Sequence, residues 1–227
     1  SSPSCIHPVI CSNLDTNHSN MTQLYRKVDQ HPKVKKAFIG SGIRYDLLVD
    51  DFNKNNNDGN HDEYIEQVIT RHVSGRLKVA PEHTSDATLR VMRKPSFKYF
   101  HKFKEKYDQI SAKHNLQQQL IPYFISSHPG CEEEDMANLA AETKDMGFQL
   151  EQVQDFTPTP MTVATVIYYS GVHPYTLKPI NTVKSKEEKL NQNKFFFWYK
   201  KENQAWIRQR LQRANRPDLI EKLLGGM

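Results

Sequence analysis

The chain has 227 residues, a quarter of them charged and 37% hydrophobic, with a formal net charge of +5. That length buries a real core in one large domain, or in one domain with an appendage, and the composition is that of a globular chain. No apolar stretch approaches the roughly 20 residues of a membrane-spanning helix. Three cysteines, an odd number, argue against a disulfide framework and for the cytoplasm.

The opening residues, Ser1-Ser2-Pro3-Ser4-Cys5, lack the regions of a secretory signal and begin without Met, so they read as the start of a processed or excised segment. Cys5, His7 and Cys11 offer two thiolates and an imidazole, but not the short knuckle spacing of a zinc site, and no metal is expected there. Met21, Leu24, Tyr25 and Val28 predict a helix capped by Ser19 or Asn20 and ended by His31-Pro32, so residues 1–32 read as an N-terminal loop and helix.

From residue 33 to 170, short apolar runs alternate with helical patterns. Strands are expected at Val34–Gly40, Leu77–Ala80, Leu120–Ser126 and Val153–Asp155. Each stops in a polar or Gly/Pro box: Ser41-Gly42-Ile43-Arg44, Pro81-Glu82-His83-Thr84-Ser85, Ser127-His128-Pro129-Gly130 and Thr157-Pro158-Thr159-Pro160. After the first, Leu47, Leu48 and Phe52 run into a polar surface loop, Asn53–Asn60. Helices are expected around Tyr64, Ile65, Val68 and Ile69, from Thr84 or Ser85 to Met92, and around Phe97, Phe100, Tyr107 and Ile110. A further helix carries Glu132, Glu133 and Glu134 in its first turn, where the dipole favours them, and a stripe of Met136, Leu139, Ala140, Thr143 and Met146. Met161–Tyr169 has a strand-like composition but follows Pro158 and Pro160, and is read as a helix.

Strands alternating with helices give an α/β protein with a parallel sheet. Strands of such a sheet end on one side, so the four boxes gather on the rim where α/β proteins build their sites. Neither a G-x-G-x-x-G after the first strand nor a Walker A loop occurs. An unpaired edge at the first strand would favour self-association.

Residues 171–227 read as a helical extension with helices at Lys184–Tyr199, Glu202–Ala214 and Pro217–Leu224. Between Lys184 and Lys222 there are eleven Lys or Arg against five Asp or Glu, so the basic excess lies in this segment. It is either a solvated helical surface or, as an alternative function, an RNA- or DNA-binding module in which Trp198, Tyr199 and Trp206 stack on bases.

Three of the boxes, in order, carry a resemblance. Glu82, Ser85, Asp86, Leu89, Arg90, Met92 and Lys94 fit the pattern of many radical S-adenosylmethionine (SAM) enzymes, a strand ending in Glu-Ser or Gln-Ser and then Asp-x-x-Leu-Lys-x-Met-x-Lys/Arg. Phe124–Asp135, with Ser127-His128-Pro129-Gly130 at its centre, resembles that family's Gly-x-Pro-Gly-Glu-Thr-x-Glu-Asp turn, and Asp155–Thr162 its Pro-rich final-strand turn. With Ile39–Asp46 and the Phe195–Tyr199 tail, nearly the whole chain resembles YgiQ-type radical SAM proteins. The family's Cys-x-x-x-Cys-x-x-Cys loop is absent.

The resemblance implies that the chain is the C-terminal half, about four parallel strands with helices, of a partial TIM-type barrel plus its extension. The longer protein would use a [4Fe–4S] cluster to cleave SAM reductively to a 5′-deoxyadenosyl radical, which abstracts hydrogen from an unknown substrate. The cluster and an N-terminal half would lie upstream, and this chain alone would hold neither cofactor and be inactive. Its implied SAM-facing residues are Arg44, Glu82, His83, Ser85, Ser127, His128, Gly130, Thr157, Pro158 and Thr159, and no catalytic residue is assigned. Other roles stay open: Glu82 as a helix cap, Arg44 in an ion pair with Asp46 or Asp50, the histidines as proton relays or as structural groups, and a hydrolase using Glu82 and His128 directly.

Overall fold

The computed structural model describes residues 5–49, 60–150 and 153–225. The polar loop expected over residues 53–60 lies outside the described residues except for Asn60, as do Phe52 and Asp50. In chain order the elements are α1 (Ser19–Gln30), a 3₁₀ turn (Tyr45–Leu48), α2 (His61–Arg71), β1 (Arg76–Glu82), α3 (Asp86–Met92), α4 (Lys98–Lys113) and β2 (Gln119–Ser126). They continue with α5 (Glu133–Asp145), β3 (Val153–Asp155), α6 (Val163–Ser170), α7 (Lys186–Phe196), α8 (Lys201–Arg213) and α9 (Pro217–Leu224). The protein is therefore α/β, with sheet order β1-β2-β3. β2 and β3 run parallel, with Ser126 beside Asp155 in the register.

One expected strand does not form. Val34–Gly40 is irregular, and the sheet has three strands among the described residues, not four. The run offers no buried face: Lys35 and Lys36 are exposed and Phe38 is 50% exposed. It is held instead by the Ile39 N–H donating to His72 O (2.9 Å) and by a bond between His72 Nδ1 and Ala37 O (2.9 Å).

The chain divides into two compact units. The first comprises Ser1–Ala80 and Pro95–Pro122. Its core joins Ile65, Val68 and Ile69 of α2 to Phe100, Phe103 and Tyr107 of α4, with the Tyr45 ring against Phe100 and Phe103. α1 forms as its spacing predicts, but Met21 and Leu24 stay exposed and Thr22 is its buried residue.

The second unit comprises Pro81–Lys94 and Tyr123–Met227. Alternation along β2 buries Phe124 and Ser126 and leaves Tyr123 and Ile125 half-buried, as period two requires. α5 buries Met136, Leu139, Ala140 and Thr143 of its expected stripe, while Met146 is half-buried at the C-cap, and a capping box between Glu132 and Asp135 starts the helix. α6 is a helix because the Thr162 hydroxyl accepts the Thr165 N–H and Gly171, at φ 69°, ends it. The helices after Gly171 are integral to this unit: α7 and α9 pack on α5, and α8 packs on α7 and α9.

Candidate functional site

Three of the four boxes fall in the second unit, at the carboxyl ends of β1, β2 and β3. The first box, with Arg44, falls in the other unit. There the Arg44 guanidinium grips Asp46 with both Nε (2.8 Å to Oδ1) and Nη2 (to Oδ2), which raises its already high pKa. Of the two ion pairs open to Arg44, the one with Asp46 is formed, and Asp50 lies outside the described residues.

At the end of β1, Glu82 adopts a left-handed backbone (φ 68°), and its carboxylate pairs with Lys94 Nζ at 3.0 Å. The cap of α3 is Ser85, whose hydroxyl accepts the Thr88 N–H. Between them His83 is fully buried. The Ser85 N–H donates to His83 Nδ1 (2.9 Å), so in neutral His83 the proton sits on Nε2, which faces the Cys131 sulfur at 3.4 Å.

At the end of β2, Ser127 is likewise left-handed (φ 60°) and fully buried. Its N–H donates to Gln192 Oε1 (2.7 Å), while its hydroxyl is buried without a partner. His128 bonds through Nδ1 to Pro129 O (2.8 Å) and sets its ring edge-on to Phe156. Gly130 is required twice over: φ is +80°, and a Cβ there would stand 3.0 Å from a Val91 methyl. Its N–H donates to Asn181 O and its carbonyl accepts the Thr88 hydroxyl.

At the end of β3, Asp155 Oδ1 accepts from the Ser126 hydroxyl (2.5 Å) and from Asn193 Nδ2 (2.6 Å). Thr157 and Thr159 are exposed, and their hydroxyls bond the nearby carbonyls of Asp155 and Thr157. Pro158 is half-buried between them.

Burial sets the protonation of this cluster. Desolvation lowers both His83 and His128 to about 4. Each is therefore neutral at pH 7 and offers one donor and one acceptor. Burial also pushes the Cys131 thiol far up, so it is an inert weak donor to Gln192 Oε1 (3.5 Å) and not a nucleophile. Among the described residues no group of three His, Cys, Asp or Glu is placed to hold a metal.

Part of the basic excess of the C-terminal segment has internal partners. Arg210 grips Glu133 with two bonds of 2.7 Å, Arg216 pairs with Glu134 and Asp218, and Lys222 pairs with Asp145. Trp198 is buried beneath Lys144, Trp206 packs on Phe195, and the Tyr199 hydroxyl donates to Leu150 O. Three of the cations thus bind acidic side chains of α5, and the aromatics named for base stacking also make packing contacts.

Sequence reasoning missed Gln192 and Asn193. Their one signal is a polar pair shortly before Phe195 and Phe196, which with Gln192 are the buried side chains of α7.

Residues 151–223 match a family described as a domain of unknown function, DUF3362. Over 221 residues the chain is 58% identical to a UPF0313 protein of Porphyromonas gingivalis, covering 97% of the chain and 35% of that protein. The chain is similar to UPF0313 proteins. Another, of Bacteroides thetaiotaomicron, is 58% identical over 98% of the chain and 36% of its own length. A third, of Methanocella arvoryzae, is 43% identical over 95% and 34% respectively. The chain thus spans about a third of the length of these UPF0313 relatives. No helix among the described residues is long and apolar enough to cross a membrane.

Proposed function

We propose that the protein, at the length of its UPF0313 relatives, is a radical SAM enzyme, and that this chain supplies the wall of the site facing SAM and substrate. The observation that carries this reading is the grouping of Glu82–Ser85, Ser127–Gly130 and Thr157–Thr159, the three boxes that resemble the family's motifs, at the ends of strands in one unit. In this reading the three strands belong to a partial TIM-type barrel, and its remaining strands lie in the part of the relatives that the chain does not span.

The residues present fit one of the two implied groups. A [4Fe–4S] cluster needs several thiolates. Cys5 is exposed, Cys11 half-buried and Cys131 buried as a neutral thiol, so the described cysteines do not fit it. The boxes do suit a nucleoside that carries an amino acid. Glu82, beside Lys94, offers a carboxylate to hydroxyls or an ammonium, and the backbone turns sharply at the left-handed Glu82 and Ser127. The buried, unpartnered Ser127 hydroxyl is a further donor and acceptor. The neutral His83 and His128 hold their turns without adding charge. SAM, when bound and reduced, supplies the chemistry of hydrogen abstraction.

The test is anaerobic reconstitution of the relative-length protein with iron and sulfide, followed by reduction in the presence of SAM. The reading expects about four irons per chain and release of 5′-deoxyadenosine with methionine. A protein that takes up no cluster, or one that holds a cluster and releases no 5′-deoxyadenosine, contradicts it.

A further inference from the structure

α7 is placed with unusual care for a peripheral helix. Its start is fixed by a capping box between Ser185 and Glu188, and its rotation by the buried Phe195 and Phe196. That rotation brings a polar residue inward: Gln192 is only 3% exposed. Both ends of its amide are used, and neither serves α7. Oε1 accepts the Ser127 N–H (2.7 Å), and Nε2 donates to Cys131 O (3.1 Å), so one side chain spans the turn that ends β2. The next residue, Asn193, donates to Asp155 at the end of β3 (2.6 Å), and Asp155 also takes the Ser126 hydroxyl. Ser127 needs such a hold, because a non-glycine residue at φ 60° does not keep that conformation unaided.

We propose that Gln192 and Asn193 are positioning residues, and that α7 holds the carboxyl ends of β2 and β3 in the shape the SAM-facing wall requires. The matched segment 151–223 then serves the strand-end site and is not an appendage with a separate task. This rests on the reading of the strand-end boxes as a ligand-facing wall.

Amide hydrogen exchange on this chain tests it. Gln192→Met keeps the volume and removes both backbone bonds together with the weak one from the Cys131 thiol. Exchange over residues 126–131, corrected for intrinsic rates, becomes at least about tenfold faster, while α4 and α5 keep their protection. Gln192→Glu separates positioning from packing. Protonated at about pH 5, its carboxyl again has one acceptor and one donor and restores the protection, which is lost at about pH 8 when the charged form faces Cys131 O.

Unchanged exchange over 126–131 in Gln192→Met, or no recovery of Gln192→Glu at low pH, overturns the proposal. If Gln192→Met does not fold, Asn193→Ala at its half-buried site decides: faster exchange at Phe156, whose N–H donates to Ser126 O, supports the proposal, and no change overturns it. In the relative-length protein the same substitution at Gln192 weakens SAM affinity about tenfold. Loosened turns with unaltered SAM affinity also overturn the proposal. A parent protein that binds no SAM removes the radical SAM reading instead, and the exchange results still decide the role of α7.

Discussion

Between about pH 6.5 and about pH 4 the protein loses about 3 kcal/mol of unfolding free energy for each of His83 and His128. Burial is the main cause of both depressed values; the Asp135 carboxylate partly opposes it at His83, and the bond to Pro129 O partly opposes it at His128. Both rings are neutral in the fold until the pH nears 4, whereas in the unfolded chain they gain protons below about 6.5. The unfolded state therefore binds more protons across this window, and stability falls as the pH falls. Carboxylates held below their ordinary values, such as Glu66 beside Lys113 and His114, begin to lose their contribution only below about pH 5 and add to the fall there. Urea unfolding at a series of pH values measures the slope, about 1.4 kcal/mol per pH unit for each histidine in mid-window. His128→Gln removes its own share, while His18 and His61, also lowered by burial, add slopes of the same sign. A parent protein with a flat profile between pH 6.5 and 4.5 would mean that the cluster is open to water.

The second large effect is at Phe196. Its ring is fully buried, and removing it in Phe196→Ala lowers the unfolding free energy by about 3–5 kcal/mol through lost burial and the cavity left behind. Leu190→Ala on the same helix changes it by less than about 0.5 kcal/mol, because Leu190 is 52% exposed. Chemical denaturation of the two variants makes the comparison. Equal effects would mean that α7 does not pack by the face described.

That pair shows where the sequence was legible and where it was not. Period and punctuation located every α-helix among the described residues, though not the 3₁₀ turn at Tyr45–Leu48, and three of the four expected strands, because Leu77, Val79, Leu120 and Phe124 alternate with less buried neighbours. Val34–Gly40 has the same apolar look, but Lys35 and Lys36 deny it a buried face. On α7 hydrophobicity points the wrong way: the leucine is exposed and the glutamine buried. Gln192 is inside because its amide satisfies a turn 65 residues away, and no local spacing encodes such a partner. The acidic start of α5 suited a helix dipole, yet Glu133 and Glu134 are also spent on Arg210 and Arg216, more than 75 residues downstream. Three of the boxes were legible, since each is punctuated by Pro, Gly or a hydroxyl at a strand end, whereas Ser41–Arg44 follows no strand. What the sequence concealed was that three of them share a unit and that α7 braces two of the three.

Photolabelling with an azido-adenine analogue of SAM, followed by peptide mapping of the relative-length protein, tests the central claim most directly. The account predicts label in peptides holding Ser127–Gly130 and Thr157–Thr159, suppressed by excess SAM. Label that competes with SAM but never falls within residues 81–94 or 123–170 would contradict it.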